Sequence, residues 1–464
     1  MRQQCYSSRL NRLFTFPIVA LLPLLCALPA WGGIQAGAAV RSITPAMDPA
    51  KPVYIAGFGN NRVATGVHDE LYARCLAMRS GGPPVVLCSV DSIGLFFDDV
   101  QKIRAGVPQA QVIVAATHSH ETPDTLGLWG PSPGVSGINE EYNALVVRRT
   151  IEAAQAALKA MRGAKLTVTK TRPPDLANYI RDSRPPVLLD DELVILRLTR
   201  GNGRGIATLI NWANHPEALG SKNTLLTADF PWALARDTES RLGGVTIFIN
   251  GALGGLMTPL GVKVRDPRYN EIAPPDSFRL AEVIGNGVAN VVVETILNTR
   301  PSGSSKVTYQ ETLVKIPVAN PGFVQAAAAN LYKGRKAFGP DKISTTPVGL
   351  LRIMHRGKPL LEAAAIPGEL YPELSLGGVV RYPGADFPDA AIEPGVKTMM
   401  KAPYRMVLGL TNDEIGYIIP KAEWDNQAPW LDNAPKRPYG EVNSIGPEAA
   451  PVITQAVKEL LSKP

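Results

Sequence analysis

Any fold for this chain has to accommodate one stretch, Gln111 to Asp124, which reads QVIVAATHSHETPD. Val112, Ile113 and Val114 are β-branched, and with Ala115 and Ala116 they make a short apolar run suited to a buried strand. The run stops in polar residues: Thr117, His118, Ser119, His120, Glu121. Residues i and i+2 of a strand share a face, so His118 and His120 are expected to leave the strand end side by side. Open α/β sheets place ligands just beyond strand ends of this kind. Two imidazoles and a carboxylate there suit a metal ion or proton transfer. A polar surface loop carries the same letters, so the stretch alone leaves both readings open.

The N-terminus is of another kind. Arg2, Arg9 and Arg12 form a positive region without acids, Leu13 to Pro29 is largely apolar, and small residues follow at Ala30, Gly32 and Gly33. That is the pattern of a secretory signal peptide over residues 1–33, with cleavage expected between Ala30 and Ala36. The apolar run is short and broken by proline, which disfavours a retained membrane anchor. Export implies a secreted or periplasmic protein. Losing the leader removes three arginines and lowers the formal charge from +7 to +4. No long basic run remains, and nothing signals nucleic-acid binding. The remaining chain of about 430 residues, residues 34–464, has length for one large α/β domain or two smaller ones.

Strands and helices alternate through that region. Leu71–Met78 and Val85–Val90 flank the turn Ser80-Gly81-Gly82-Pro83-Pro84 and form a hairpin that sets Cys75 about opposite Cys88. An oxidising compartment permits a disulfide there, although two buried free thiols are the simpler expectation. Residues 139–162 form a helix with an apolar stripe at Val147, Ile151, Ala154, Leu158 and Met161. Gly205–Trp212 is a strand running into NWANHPEALG, which leaves His215 just past its end. Asp229 caps a helix with Pro231 in its first turn, stopped at Gly243-Gly244. Val245–Ile249 is a strand, and Ser277–Leu297 a long helix that contains Gly285 and Gly287. A strand over Lys306–Val318, a helix over Gly322–Lys336 and a strand over Leu360–Ile366 follow. The last runs into PGEL and Glu369. Tyr404–Leu410 enters TNDEIGYIIP, with Tyr417 beyond it. Residues 420–447 make a long loop carrying Trp424 and Trp430, and Pro451–Ser462 closes as a helix. The expected class is α/β: central mixed β-sheets flanked by helices, with a metal site at the strand ends.

Four strand ends thus present His118 and His120, His215, Glu369 and Tyr417. Two histidines and a carboxylate form a ligand set for catalytic zinc. Only five histidines exist in the chain, and three stand at these junctions.

These motifs resemble the catalytic domain of the neutral, non-lysosomal ceramidase family. GVHDELYARCLAM is similar to the family's G-I-H-x-x-L-Y-A-R-A-F strand, and THSHETP to T-H-T-H-S-G-P. LINWANHP resembles L-N-W-F-A-x-H-P, AIPGEL resembles V-P-G-E-F, and GLTNDEIGY resembles G-L-x-N-x-Y-x-x-Y. The matches keep the family's order over most of residues 34–464. The resemblance implies one Zn2+ held by His118, His215, Glu369 and Tyr417, with His120 catalytic and Tyr417 ligating zinc or donating a hydrogen bond. It implies hydrolysis of an N-acyl amide such as N-acyl sphingosine.

The departures narrow this reading. The family's G-D-V-S-P-N loop corresponds to Asn250-Gly251-Ala252-Leu253-Gly254-Gly255, without its serine, which leaves zinc-activated water as the route. Glu121 stands where the family has serine and joins His120 as a group able to move a proton. Arg181 only loosely matches a substrate-contacting stretch, and the family's C-terminal β-domain has no counterpart. The expectation is therefore a ceramidase-like zinc amidohydrolase acting on a lipid amide. Trp424 and Trp430 would either wall an apolar groove or serve as core, and transient contact with a membrane surface is compatible. A zinc hydrolase of an ester or non-lipid amide, and a non-catalytic secreted binding protein on the same scaffold, are the alternatives.

Overall fold

Short β-branched runs punctuated by glycine and proline build two mixed sheets in the computed structural model, which describes residues 33–303, 306–336, 338 and 341–463. The segment read as a leader lies, except for Gly33, outside the described residues. The first sheet comprises β1 (Gln35–Ser42), β2 (Tyr72–Arg79), β3 (Val85–Val90), β4 (Gln111–Ala116), β5 (Arg162–Thr171), β6 (Leu193–Arg200), β7 (Gly205–Trp212) and β8 (Val245–Asn250). Their spatial order is β8-β7-β6-β5-β1-β2-β3-β4. The pairs β3–β4 and β7–β8 are parallel, and the other neighbours are antiparallel. The second sheet holds β9 (Lys306–Pro317), β10 (Ile343–His355), β11 (Lys358–Ala365) and β12 (Tyr404–Leu408) in that order, with β11–β12 its parallel pair.

The sheets pack on each other. Leu76, Leu87 and Ile113 of the first meet Leu351, Ile353 and Leu361 of the second in one apolar cluster. Each such side chain fully withdrawn from water contributes roughly 1.5–3 kcal/mol. The outer face of the first sheet is covered by α1 (Phe97–Ala105) and α2 (Glu140–Lys159) at one end and by α3 (Phe230–Leu242) and α4 (Phe278–Leu297) at the other. A short helix, α5 (Pro321–Ala328), precedes β10, and α6 (Ala449–Ser462) covers the outer face of the second sheet. The result is a helix–sheet–sheet–helix sandwich, the α/β class with mixed sheets expected from the sequence.

Local sequence explains most element ends. Asn139 caps α2 by accepting from Tyr142 N, Asp229 caps α3, and Gly243 ends it. Gly285 lies where α4 meets α3: a Cβ there would stand 2.5 Å from Phe230 O. Three expectations change. The buried face of α2 runs through Val146, Thr150, Ala153 and Ala157, while Val147, Ile151 and Leu158 sit half-buried at its border. The helix expected over Gly322–Lys336 stops at Ala328, because Asn330 (φ 56°), Lys333 (φ 51°) and Gly334 (φ 78°) turn the backbone into the left-handed region. In the hairpin β2–β3, Cys75 and Cys88 are register partners as expected, with Cα atoms 4.1 Å apart. They form a disulfide rather than two free thiols.

Candidate metal centre

The C-terminal ends of β4, β7, β11 and β12 lead to one place. β4 ends at Ala116, and Thr117 N and His118 N then bond to Val90 O and Ser92 O (both 2.9 Å). His118 takes a φ of 68°, a left-handed conformation uncommon for a side-chain-bearing residue. The pair His118/His120 is therefore not a continuation of the strand face; a turn brings the rings together, centroids 5.0 Å apart. His215 follows β7 and stands 5.1 Å from His118 and 5.6 Å from His120 by ring centroids. Backbone bonds lock the two loops, since His120 N donates to Pro216 O (3.0 Å). Glu369 and Tyr417 are register partners in a two-residue parallel bridge, Glu369–Leu370 beside Tyr417–Ile418. The structure thus brings together His118, His120, His215, Glu369 and Tyr417, all buried.

The hydrogen bonds orient two of the imidazoles as ligands. His118 Nδ1 donates to Ile93 O (2.6 Å) and His215 Nδ1 donates to Met257 O (2.7 Å). Fixing Nδ1–H on a carbonyl leaves the Nε2 lone pair free, the usual preparation of a metal-binding histidine. Both Nε2 atoms then face one carboxylate oxygen, Glu369 Oε2, at 3.5 Å from His118 and 3.0 Å from His215. Lone pairs that close repel unless a proton or a cation lies among them; a proton on His215 Nε2 makes a hydrogen bond to Glu369 Oε2, and a shared cation serves all three groups. Ligand atoms about 2.1 Å from a tetrahedral ion stand about 3.4 Å from each other, so the spacing fits a shared metal. Burial alone would raise the pKa of Glu369, but the two imidazoles outweigh it and hold the carboxyl well below its ordinary range.

His120 differs. Its two ring nitrogens have no hydrogen-bond partner among the described residues, and Glu217 Oε2 lies 3.4 Å from Nδ1. Burial, followed by the neighbouring His118 and His215, pushes its pKa well down, so the ring is a neutral base. Its nitrogens also lie close enough to those of His118 and His215 to complete a three-histidine group, ligand atoms within 4.8 Å of one another. The ring is wedged by the loop before β2: Phe58 packs edge-on at 5.1 Å, and a Cβ on Gly57 (φ 106°) would lie 2.5 Å from His120 Cβ.

A cavity opens onto this cluster. His118, His120, Glu369, Glu414 and Tyr417 form its polar side, and the remaining wall is mostly apolar. Leu126, Leu128 and Trp129 come from a turn shaped by Asp124, whose carboxylate accepts from the backbone N–H groups of Leu126, Gly127 and Trp129. Phe323 and Phe338 come from α5 and the segment after it. None of the described residues lining the cavity is Ser, Thr, Cys or Lys.

Other sequence-predicted residues lie apart. Glu121 is buried, but its carboxylate pairs with Arg62 Nη2 (2.6 Å) and Asn223 Nδ2 (2.8 Å), and it does not line the cavity. Burial pushes its pKa up to about 8 in spite of Arg62. Arg62 also donates to His120 O (3.1 Å), so this pair braces the histidine's backbone. Trp424 is core, and neither it nor Trp430 lines the cavity; the loop over 420–447 contributes Tyr439 and Asn443 instead. Arg181 is exposed and outside the cavity. The sequence reading passed over Glu217, two residues after His215, and Glu414, three before Tyr417. Both lie inside motifs already singled out, and their closeness to His215 and Tyr417 was the available signal. Burial and Glu369 raise the pKa of Glu414 well above its ordinary value.

No family model and no curated protein matches the sequence. Solved structures do match. Neutral ceramidase from Pseudomonas aeruginosa aligns with a TM-score of 0.69 at 15% identity, covering 92% of this chain and 74% of that one. The fold is that of neutral ceramidase. A structure described as ceramidase complexed with C2 agrees, with a TM-score of 0.69 at 14% identity over 92% of this chain and 75% of the other. The candidate metal centre described above is therefore built on a neutral-ceramidase-like fold, the one its short motifs resemble.

Proposed function

We propose that this protein is a secreted zinc hydrolase that cleaves the amide bond of an N-acyl lipid, a ceramidase-like reaction. One observation carries the reading. The Nε2 atoms of His118 and His215, each with Nδ1 tied to a carbonyl, converge on Glu369 Oε2 beside an apolar cavity. The ceramidase identity of the structural neighbours and the apolar lining support a lipid amide as the substrate. The leader-like N-terminus and the Cys75–Cys88 disulfide support export, since disulfides persist in oxidising compartments.

His118, His215 and Glu369 would hold the ion, with Tyr417 beside them. Zinc in such a set supplies Lewis acidity toward a carbonyl and lowers the pKa of water. His120 accepts a proton from the attacking water and returns it to the leaving amine nitrogen. Glu217 faces His120 Nδ1 and favours the ring orientation that leaves Nε2 for this transfer. Tyr417 O–H would donate to the carbonyl oxygen as negative charge develops. The apolar wall takes the acyl chain and excludes water. Because the described lining offers no Ser, Thr, Cys or Lys, direct attack by water is favoured over an acyl-enzyme.

Hydrolysis of a panel of matched N-acyl amides and esters tests this reading. Turnover of long-chain amides that stops on chelation and returns with zinc is the expected result. Turnover of esters or small polar amides alone, with N-acyl sphingosine untouched, would remove the lipid-amide assignment.

A further inference from the structure

The proposed reaction does not use Glu414, which lies in the cavity wall beside the metal centre. It is 5% exposed. One carboxylate oxygen, Oε1, accepts from Gly416 N (2.9 Å). The other, Oε2, is buried without any hydrogen-bond partner among the described residues. Ile93, Phe96 and Leu126 line the same cavity, and none of its polar lining residues hydrogen-bonds this oxygen. Gly94 holds the side chain in place, since a Cβ there would meet Glu414 Cγ at 3.0 Å and Leu126 Cδ1 at 3.1 Å. A buried polar atom left without a partner destabilises the fold, and such a cost is retained where a ligand supplies the missing bond. In pockets that are otherwise apolar, a few fixed polar groups of this kind set orientation and specificity.

We propose that Glu414 is a specificity residue that accepts a hydrogen bond from a hydroxyl or ammonium group carried near the scissile amide of the substrate. The inference rests on the amide-hydrolase reading for the word scissile, and on the unpartnered Oε2 for the rest. Glu414 lines the same cavity as Glu369 and Tyr417, and Glu369 is close enough to act on it electrostatically. A donor bound to it therefore lies within a few atoms of the bond being cut. The apolar wall around Glu414 takes the chain that carries the donor. A carboxyl oxygen accepts from a hydroxyl whether the group is protonated or ionised, and from an ammonium when it is ionised, so the substrate class is an N-acyl amide with a donor-bearing amine or acyl half.

The test uses the full zinc-loaded protein and matched substrates. N-dodecanoyl ethanolamine, N-dodecanoyl ethylenediamine and N-dodecanoyl propylamine place a hydroxyl, an ammonium or a methyl at one position. An α-hydroxyacyl propylamide places the donor on the acyl side. A site built to bond a donor rejects the analogue lacking it, so wild type should favour at least one donor substrate over its methyl partner by tenfold or more, on the order expected for such sites, in kcat/KM. E414L should bring that ratio to about one, and E414Q should keep a hydroxyl preference while losing an ammonium preference. An unchanged ratio in E414L, no donor preference in wild type, or loss of zinc in E414Q would each overturn the proposal. If wild type hydrolyses none of these amides, the functional reading fails separately. Calorimetric binding of dodecylammonium and 1-dodecanol then decides: weaker binding to E414L than to wild type supports Glu414, and equal affinity overturns it.

Discussion

Substituting Gly57 by alanine tests whether His120 acts separately from the proposed metal ligands. The new methyl carbon would stand 2.5 Å from His120 Cβ and Cγ and 2.7 Å from Nδ1. Carbon pairs rest at about 3.5–4.0 Å, so His120 or the Gly57–Phe58 loop has to yield by about 1 Å. The backbone at Gly57 has φ 106°, which adds about 1–3 kcal/mol of strain for a residue with a Cβ. Misplacing a catalytic group by 1 Å costs on the order of a hundredfold in rate. None of the atoms nearest that methyl belongs to His118, His215 or Glu369. The Gly57→Ala protein should therefore keep its zinc, as measured by metal analysis, and show kcat reduced about a hundredfold with KM little changed, in line with a perturbed proton-transfer group. Turnover close to wild type would refute the account of His120. Joint loss of zinc and activity would show that His120 binds the ion.

Two further outcomes follow from the covalent and electrostatic structure. The unreduced protein should be lighter than the reduced one by two hydrogens, and replacing Cys75 and Cys88 should cost about 3 kcal/mol, the scale for a short closed loop, read from urea denaturation; unchanged stability would contradict the bond. Burial pushes Asp91, Asp229 and Asp413 up to about 7 each. The folded state thus prefers their protonated forms: this stability is fully present below about pH 4 and is lost as pH rises through about 7. The denaturation midpoint of chelator-treated protein should fall between pH 5 and pH 8, and a rise across that interval would contradict the sign.

The alternation of short β-branched runs with turns made the class of fold legible, and β3, β7 and the helix capped by Asp229 lie where their sequences put them. β10 was not anticipated: ISTTPVGLLRIMH contains Pro347 and a continuous apolar run without alternation, and its pairing on both sides supplies what local pattern does not. The helix after Asn320 was overextended because its alanines favour helix, while Asn330 and Lys333 at positive φ depend on tertiary contacts. At the site, strand-end position identified His118, His215, Glu369 and Tyr417. It could not show that Glu121 turns toward Arg62, because adjacent residues at a turn point to different surroundings. Nor could it reveal Glu217, which faces His120 Nδ1, or Glu414, whose Oε2 has no hydrogen-bond partner among the described residues. Trp424 illustrates the same limit, since core and cavity are equally apolar destinations for an indole.

The central claim is that His118, His215 and Glu369 hold one ion while His120 stays free for chemistry. Zinc content after chelation, dialysis and reloading tests it on wild type, H215A, E369A and H120A, with folding checked by circular dichroism. The account predicts one zinc per chain in wild type and H120A, and its loss in H215A and E369A. Retention in E369A together with loss in H120A would contradict it, and would assign the ion to the three histidines instead.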